Sequence, residues 1–277
     1  MLRITVLVDN TPNPDIPELV SEHGLSMLIE FENKTILCDT GKSYHFAGNA
    51  RILGIDLSRT DMAFMSHGHN DHTGGLRTFL EINGNACVFA SPDIFKYRFF
   101  SSRHEEKRDI STDFALETEY AERFKFVDDS RWIAPDIASV RNTCNAFSTP
   151  IGNLKLTAQP RNSGEIQDNF CHENALVFNT DKGLVIISSC SHNGALNIIR
   201  SCMDFTGVRQ VCAFVGGLHF VDCNRTEQEV AGFCKDIAAE APDTLFYTGH
   251  CTSDKAKDFL KGNKNIRFFH TGSVIEI

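Results

Sequence analysis

The residues of this chain with the clearest chemical potential stand in the run MSHGHNDHTGG, residues 65–75. Three histidines and one aspartate fall within six consecutive positions there: His67, His69, Asp71 and His72. Neutral imidazole and carboxylate are ligands that Zn²⁺, Fe²⁺ and Mn²⁺ accept, and a catalytic site keeps one position open for water. In an extended loop, alternate residues point the same way, so His67 and His69 face one point while Asp71 and His72 turn toward a second. The run therefore predicts a metal site.

The elements around this cluster are those that would hold it in place. The apolar run DMAFMS leads into it, and after it Leu76, Phe79 and Leu80 recur at helical spacing. The cluster is therefore predicted to lie on a loop between a buried strand and a helix.

The rest of the chain shows two series of strand-like segments. The first series contains ITVLVD, LSMLIEF and KTILCDTG, and the second begins with LKLTA at residue 154 and continues through ALVFN, LVIISS, VCAFV and TLFYT. Helical segments separate the later strands. Two strand-rich halves of comparable size predict a single α/β domain over residues 1–277, built as a sandwich of two sheets with outer helices.

Residues 92–150 interrupt this pattern with mixed charges and aromatic side chains. One interpretation is a solvated insertion that takes no part in chemistry. The alternative is a lid, because several Lys and Arg residues gather between positions 96 and 108 of an otherwise acidic chain. Arg103 and Arg108 would then contact a phosphate-bearing substrate.

Composition limits the classes of function. The chain has 277 residues, 42% hydrophobic residues and a formal net charge of −9, which is typical of a globular protein and disfavours a nucleic-acid or membrane partner. No apolar run reaches the roughly 20 residues that cross a bilayer, and the first residues do not resemble a signal peptide. Ten scattered cysteines without a CxxC pair indicate reduced thiols. We expect a cytoplasmic protein, and the oligomeric state stays open.

The run SHGHNDHTGGL resembles the HxHxDH signature of the metallo-β-lactamase superfamily. The resemblance implies an αββα sandwich with two mixed sheets and outer helices. CDTG (38–41) is similar to a strand-end motif of that family, and the strand TLFYTGH ends at His250, where a late metal ligand is expected. Further motifs resemble the branch named for 7,8-dihydropterin-6-methyl-4-(β-D-ribofuranosyl)-aminobenzene-5'-phosphate synthase, whose members are mostly labelled metal-dependent hydrolases. These motifs are EHGLS (22–26), SCSHNG (189–194), GGLH (216–219) and GHCTS (249–253).

The resemblance implies a ligand set for one or two Zn²⁺ ions, with Fe or Mn as alternatives. His67 and His69 match the pair on the first metal. Asp71, His72 and His250 match the ligands of the second. Asp71 would also orient the attacking hydroxide or accept its proton.

The sequence departs from the family at the bridge between the two metals. Superfamily members usually add a third histidine for the first metal before a hairpin and a bridging aspartate at the hairpin's end. Here the hairpin ends in CSH, so the aspartate is missing. Either His192 supplies the third ligand, or His192 or Cys190 takes the bridging position while His172 is the third ligand. The lost carboxylate removes one negative charge and weakens binding of a second metal.

Two further histidines are candidates for metal or substrate contact. His219 closes the strand VCAFVGGLH behind two glycines, and His23 follows an early turn. A structural role is the alternative for both. His45, His104 and His270 are expected to be surface or packing residues.

Three classes of function follow from this set. The first is a hydrolase, in which metal-bound hydroxide attacks an ester or phosphoester of a small anionic substrate. The second is a transferase of pterin synthesis, which joins a dihydropterin methyl diphosphate to an aminobenzene ribofuranosyl phosphate. The third is a sensor that binds metal without turnover.

Overall fold

The computed structural model of the chain describes residues 1–103 and 105–277, so His104 lies outside the described residues. Contacts divide the chain into two compact units. The first unit comprises Met1–Asp128, Lys155–His172 and Phe269–Ile277. The second unit comprises Asp129–Leu154 and Glu173–Phe268.

The described chain forms both β-strands and α-helices. The strands are, in chain order, β1 (Leu2–Val8), β2 (Ser26–Phe31), β3 (Lys34–Cys38), β4 (Met62–Met65), β5 (Cys87–Ala90), β6 (Tyr97–Ser101), β7 (Arg108–Asp109), β8 (Phe124–Phe126), β9 (Arg131–Ala134), β10 (Ile137–Arg141), β11 (Leu156–Pro160), β12 (Ile166–Gln167), β13 (Asn174–Thr180), β14 (Gly183–Ile187), β15 (Val211–Val215), β16 (Leu245–Thr248), β17 (Ile266–Phe268) and β18 (Val274–Glu276). The α-helices are α1 (His45–Ile52), α2 (Asn70–Thr73), α3 (Leu76–Ile82), α4 (Asp93–Lys96), α5 (Leu116–Glu119), α6 (Ala195–Thr206), α7 (Thr226–Glu240) and α8 (Asp254–Leu260).

The first unit is built on a seven-stranded mixed sheet in the order β18-β1-β2-β3-β4-β5-β8. Pairing is antiparallel from β18 to β3 and parallel from β3 to β8. All four residues of β4 are buried, as expected for a strand with parallel neighbours on both sides and packing on both faces. A second sheet of this unit has the order β12-β11-β6-β7.

Helix α3 covers part of the core of the first unit. Its buried residues are Leu76, Phe79 and Leu80, which confirms the helical spacing in the sequence. The residue just before α3 must be glycine, because a Cβ on Gly75 would lie 2.4 Å from the carbonyl oxygen of Thr40. The turn before α3 therefore packs directly against the backbone that follows β3.

The second unit is built on a seven-stranded mixed sheet in the order β17-β16-β15-β14-β13-β10-β9. Its strands are parallel from β14 to β17 and antiparallel from β9 to β14. Helix α6 buries Ile199 and Cys202 in the same core cluster as Val177 and Ile186 of the sheet. Within the described part of the chain, no helix is long and apolar enough to cross a membrane.

Two segments differ from the sequence-based expectation. β11, expected to open the second series of strands, pairs instead with β6 in the four-stranded sheet of the first unit. Residues 92–150, expected to form an insertion, contribute β8 to the sheet of the first unit and β9 and β10 to that of the second. The alternation of apolar and polar residues predicts which face of a strand is buried, but it does not predict which sheet the strand joins. The single domain and the lid stay predictions.

Candidate metal centre

The histidine cluster begins where β4 ends, at the carboxyl edge of the parallel strands of the first unit. Ligand sites of open α/β sheets form at this edge, because successive loops leave the sheet there. His67, His69 and His72 have exposed fractions of 0%, 3% and 0%. α2 begins directly after His69, and the His69 carbonyl accepts the backbone N–H groups of residues 72 and 73. As predicted, the cluster lies between a buried strand and helices.

Asp39, in the CDTG motif after β3, fixes this loop. It has a positive φ of 57° and is fully buried. One carboxylate oxygen accepts the Ser66 backbone N–H at 2.8 Å. The other accepts the Ser66 hydroxyl at 2.6 Å and Nδ1 of His72 at 2.8 Å. Asp39 therefore anchors both ends of the cluster.

These hydrogen bonds determine which ring nitrogens carry protons. The Ser66 hydroxyl has one proton and donates it to Asp39, so in its 2.8 Å contact with Nδ1 of His67 it must accept. His67 therefore carries its proton on Nδ1 and presents a lone pair on Nε2. His72, whose Nδ1 donates to Asp39, also presents Nε2. A neutral imidazole binds metals through this lone pair.

The lone pairs point toward neighbouring ligand atoms. Nε2 of His67 lies 3.1 Å from Nδ1 of His69. Nε2 of His72 lies 3.6 Å from a carboxylate oxygen of Asp71, and Nε2 of His23 lies 3.4 Å from the same oxygen. Burial, the largest influence, lowers the pKa of His69 and favours the neutral, metal-binding form. This donor set fits a transition-metal ion, and the ligand roles of these residues stay predictions.

His23 contacts Asp71 from a more exposed position. Its Nδ1 lies 3.1 Å from the side-chain amide nitrogen of Asn10 and accepts a hydrogen bond from it. Its Nε2–H therefore faces Asp71. This arrangement lets His23 orient the Asp71 carboxylate.

An aspartate that the sequence analysis missed lies beside His69. Asp168 and His172 follow β12, and both side chains are 1% exposed. A carboxylate oxygen of Asp168 lies 3.2 Å from Nε2 of His172 and 3.7 Å from Nε2 of His69. Burial would raise the pKa of Asp168, but its electrostatic interactions and hydrogen bonds with the two histidines outweigh that effect and hold the pKa well below its usual range. Asp168 is one of several polar residues in DNFCHEN, so no feature of the sequence singles it out.

In the second unit, His192 lies in a loop held by hydrogen bonds from other segments. The Glu173 carboxylate accepts the backbone N–H groups of His192 and Asn193 at 2.8 and 2.9 Å. The Asn153 amide group donates to the His192 carbonyl at 2.8 Å. The amide oxygen of Asn153, 3.1 Å from Nδ1 of His192, therefore accepts a hydrogen bond from Nδ1–H, and Nε2 carries the lone pair. No motif in the sequence indicated these roles of Asn153 and Glu173.

His219 and His250 both adopt left-handed backbone conformations in the loops that follow β15 and β16 of the second unit, with φ values of 53° and 49°. Both are buried. The ring centroids of His219 and His192 are 4.1 Å apart. Potential ligand atoms of Cys190, His250 and Cys251 lie within 4.8 Å of one another. The second unit thus has its own group of side chains of the types that can bind a metal.

Glycines let two loops of the second unit approach each other closely. Gly216 has a φ of 142°. A Cβ on Gly217 would lie 2.3 Å from Sγ of Cys251, which accepts the His219 backbone N–H at 3.3 Å. The GGLH and GHCTS motifs are therefore packed against each other.

The predicted basic group of the lid lies in an exposed part of the first unit. Arg103 and Arg108 are exposed. Lys96 pairs with Asp93, Arg98 pairs with Asp109, and Lys107 pairs with Glu165. Part of the basic charge is therefore balanced by local acidic groups.

Comparison with known proteins places this arrangement in a family. The metallo-beta-lactamase superfamily model matches residues 21–138, and a curated relative with 30% identity aligns with 92% of the chain. The chain belongs to the metallo-β-lactamase superfamily. That relative is 7,8-dihydropterin-6-methyl-4-(beta-D-ribofuranosyl)-aminobenzene-5'-phosphate synthase of Methanocaldococcus jannaschii, of which the alignment over 275 residues covers 90%. The predicted family and the resemblance to the synthase branch are confirmed.

Solved structures confirm the predicted αββα fold class with two mixed sheets. Tm1679, described as a metal-dependent hydrolase of the beta-lactamase superfamily, matches with a TM-score of 0.82 and 29% identity, over 100% of this chain and 99% of that one. Zn²⁺-bound PqqB from Methylobacterium extorquens matches with a TM-score of 0.58 and 10% identity, over 99% of this chain and 100% of that one. The second likeness is one of fold alone.

Proposed function

We propose that the protein is a metal-dependent hydrolase that acts on an ester or phosphoester of a small anionic substrate. The observation that carries the proposal is the proton arrangement at the end of β4. Nδ1 of His67 donates to Ser66, so its Nε2 presents a buried lone pair 3.1 Å from Nδ1 of His69. Such a pair of ring nitrogens is suited to holding a cation.

The proposed ligands extend this pair with the residues that the family resemblance assigns. In the first unit these are His67, His69, Asp71 and His72. In the second unit they are His192 and His250, with His219 and Cys190 as further candidates for contact. We propose one or two Zn²⁺ ions, with Fe or Mn as alternatives, because His and Asp accept all three metals. A metal bound there would acidify water and polarise the bond that is cleaved.

Asp71 is the proposed proton acceptor. Its side chain is 14% exposed, more than those of His69 and His72, so water can reach it. Nε2–H of His23 lies 3.4 Å from one of its oxygens. This contact orients the carboxylate, and an oriented carboxylate can take the proton of an attacking water.

A phosphate-bearing substrate is supported by the name of the relative from M. jannaschii, which ends in 5'-phosphate. Exposed Arg103 and Arg108 would provide charge-assisted hydrogen bonds to such a group.

The second candidate is a transferase. It is favoured by the 30% identity to a protein named as a synthase across nine tenths of the chain. In that reaction, the cationic groups would stabilise a departing diphosphate while an aromatic amine attacks the pterin methylene carbon. A metal sensor without turnover is the third candidate.

Product analysis of metal-reconstituted protein separates these candidates. One arm supplies bis(p-nitrophenyl) phosphate, and the other supplies a dihydropterin methyl diphosphate with an aminobenzene ribofuranosyl phosphate. We expect metal-dependent cleavage in the first arm. Diphosphate release with carbon–nitrogen bond formation in the second arm alone would establish the transferase. Metal binding with neither product would contradict both enzymatic proposals.

A further inference from the structure

Asp168 is held in one orientation by contacts that come from its own loop. One of its carboxylate oxygens accepts the Phe170 backbone N–H at 2.8 Å. Phe170 has a φ of 52°, which turns the chain back on itself at this point. The other oxygen faces the two histidines. A carboxylate buried to this degree needs donors on both oxygens.

The proton position of His172 follows from its other ring nitrogen. Nδ1 of His172 accepts the backbone N–H of Gly68 at 3.0 Å, and a nitrogen that accepts carries no proton. The neutral ring therefore carries its proton on Nε2, which donates to Asp168 at 3.2 Å. The Phe99 ring lies 4.2 Å from the His172 ring between centroids and limits its rotation.

His69 has two possible proton positions. With the proton on Nδ1, His69 would donate a hydrogen bond to Nε2 of His67, and Nδ1 could not bind a metal. With the proton on Nε2, it faces the Asp168 oxygen at 3.7 Å and presents its Nδ1 lone pair beside that of His67. An anionic carboxylate favours the second form, because it attracts the N–H dipole.

We propose that Asp168, oriented by His172, is a positioning residue that keeps the proton of His69 on Nε2 and leaves Nδ1 free for the metal. The inference rests on the proposed metal centre. It also assigns His172 a supporting role. Metal binding by His172 would require the loss of either its Gly68 hydrogen bond or the Nε2 proton that it shares with Asp168.

The first measurement reads the proton of His69 without any metal. Nitrogen-15 NMR of the histidine rings in metal-free protein distinguishes the two forms, and His69→Gln identifies the signals of His69. We expect the Nε2–H form in the parent. In Asp168→Asn, we expect a mixture or the Nδ1–H form. Unchanged His69 signals in this variant would overturn the inference.

The second measurement is the affinity for Zn²⁺ by competition with a chelator. Loss of such a supporting carboxylate typically weakens metal binding about 10–100-fold. We expect a loss in this range for Asp168→Asn and a smaller loss for His172→Gln. The control is Asp113→Asn in the same unit, where an exposed carboxylate pairs with Arg77. Circular dichroism and thermal unfolding identify any variant that has not folded.

The two readouts distinguish failure of the inference from failure of the proposed function. Because the NMR measurement needs no metal, a parent protein that binds no metal contradicts the proposed function even when the His69 proton depends on Asp168. Parent-like Zn²⁺ affinity in Asp168→Asn overturns the positioning role. If substitution of either Asp168 or His172 removed one whole equivalent of metal, these residues would be metal ligands. That result would also overturn the positioning role.

Discussion

His72 in the first unit donates its Nδ1 proton to the carboxylate of Asp39, whereas His192 in the second unit donates its Nδ1 proton to the neutral amide of Asn153. Both contacts leave Nε2 as the nitrogen that can bind a metal. They differ in electron supply, because a carboxylate raises the basicity of the ring more than an amide does. We infer that the first unit supplies the stronger ligands, and the following changes test that difference.

Replacement of His69 by alanine should have the largest effect. The variant loses a proposed metal ligand, so we expect turnover to fall below detection and bound metal to decrease. Activity assays and elemental analysis after reconstitution measure both. His45→Ala, at the start of α1 in the same unit, is the control and should retain parent values. Parent-like metal content in His69→Ala would argue against the assigned site.

Asp39→Asn should destabilise the first unit strongly. The amide replaces one acceptor oxygen by a donor, although three hydrogen bonds converge on this buried side chain. Disruption of a buried charged network costs about 3 kcal/mol of unfolding free energy. Urea unfolding gives the value. Asp113→Asn, at a half-exposed ion pair, should cost about 1 kcal/mol or less.

The double variant Arg103→Ala, Arg108→Ala tests the lid. If these side chains bind substrate phosphate, KM for an anionic substrate should rise at low salt with metal content unchanged. Each lost contact corresponds to about 1.5–3 kcal/mol. Arg51→Ala with Arg59→Ala removes the same charge from exposed positions elsewhere and serves as the control. Equal kinetics in the two double variants would show that Arg103 and Arg108 are solvated surface residues. Substitutions at such positions change the free energy by no more than about 0.5 kcal/mol.

Asn153→Ala should have a smaller effect than Asp39→Asn. It removes one neutral hydrogen bond to the His192 ring and one to its carbonyl, each contributing about 1 kcal/mol. Zn²⁺ affinity should fall with it. Asn153→Asp restores an acceptor with a negative charge and should recover affinity beyond that of the alanine variant. A larger loss of affinity from Asn153→Ala than from Asp39→Asn would reverse the comparison between the units.

Glu229 of the second unit should give the smallest effect. Its pKa is shifted upward, whereas that of Asp168 is shifted downward. Burial raises the pKa of Glu229, so the folded chain holds this proton to a higher pH than the unfolded chain. Its contribution to the unfolding free energy therefore decreases as pH rises above about 4.5. Urea unfolding across this range should show that decrease in the parent and less of it in Glu229→Gln. Glu227→Gln, an exposed position on the same helix, should leave the pH dependence as in the parent.

The sequence was most informative where the relevant residues are close in the chain. His67, His69 and His72 lie close together in the chain, so their spacing and the strand before them were enough to predict the proposed site. Asp168 supports His69 from 99 positions further along the chain, and Asn153 reaches His192 across 39 positions. Contacts of this kind leave no periodicity, because a single polar residue in a loop looks the same with or without a partner. For the same reason, the strand pattern of β11 predicted a strand but not its sheet.

The left-handed conformations of His219 and His250 bear on how this protein would respond to laboratory evolution. A non-glycine residue in this conformation costs about 1–2 kcal/mol, which glycine largely avoids. A library selected for thermal resistance alone should therefore accumulate glycine at positions 219 and 250. Screening for catalysis in parallel would be needed to retain both imidazoles.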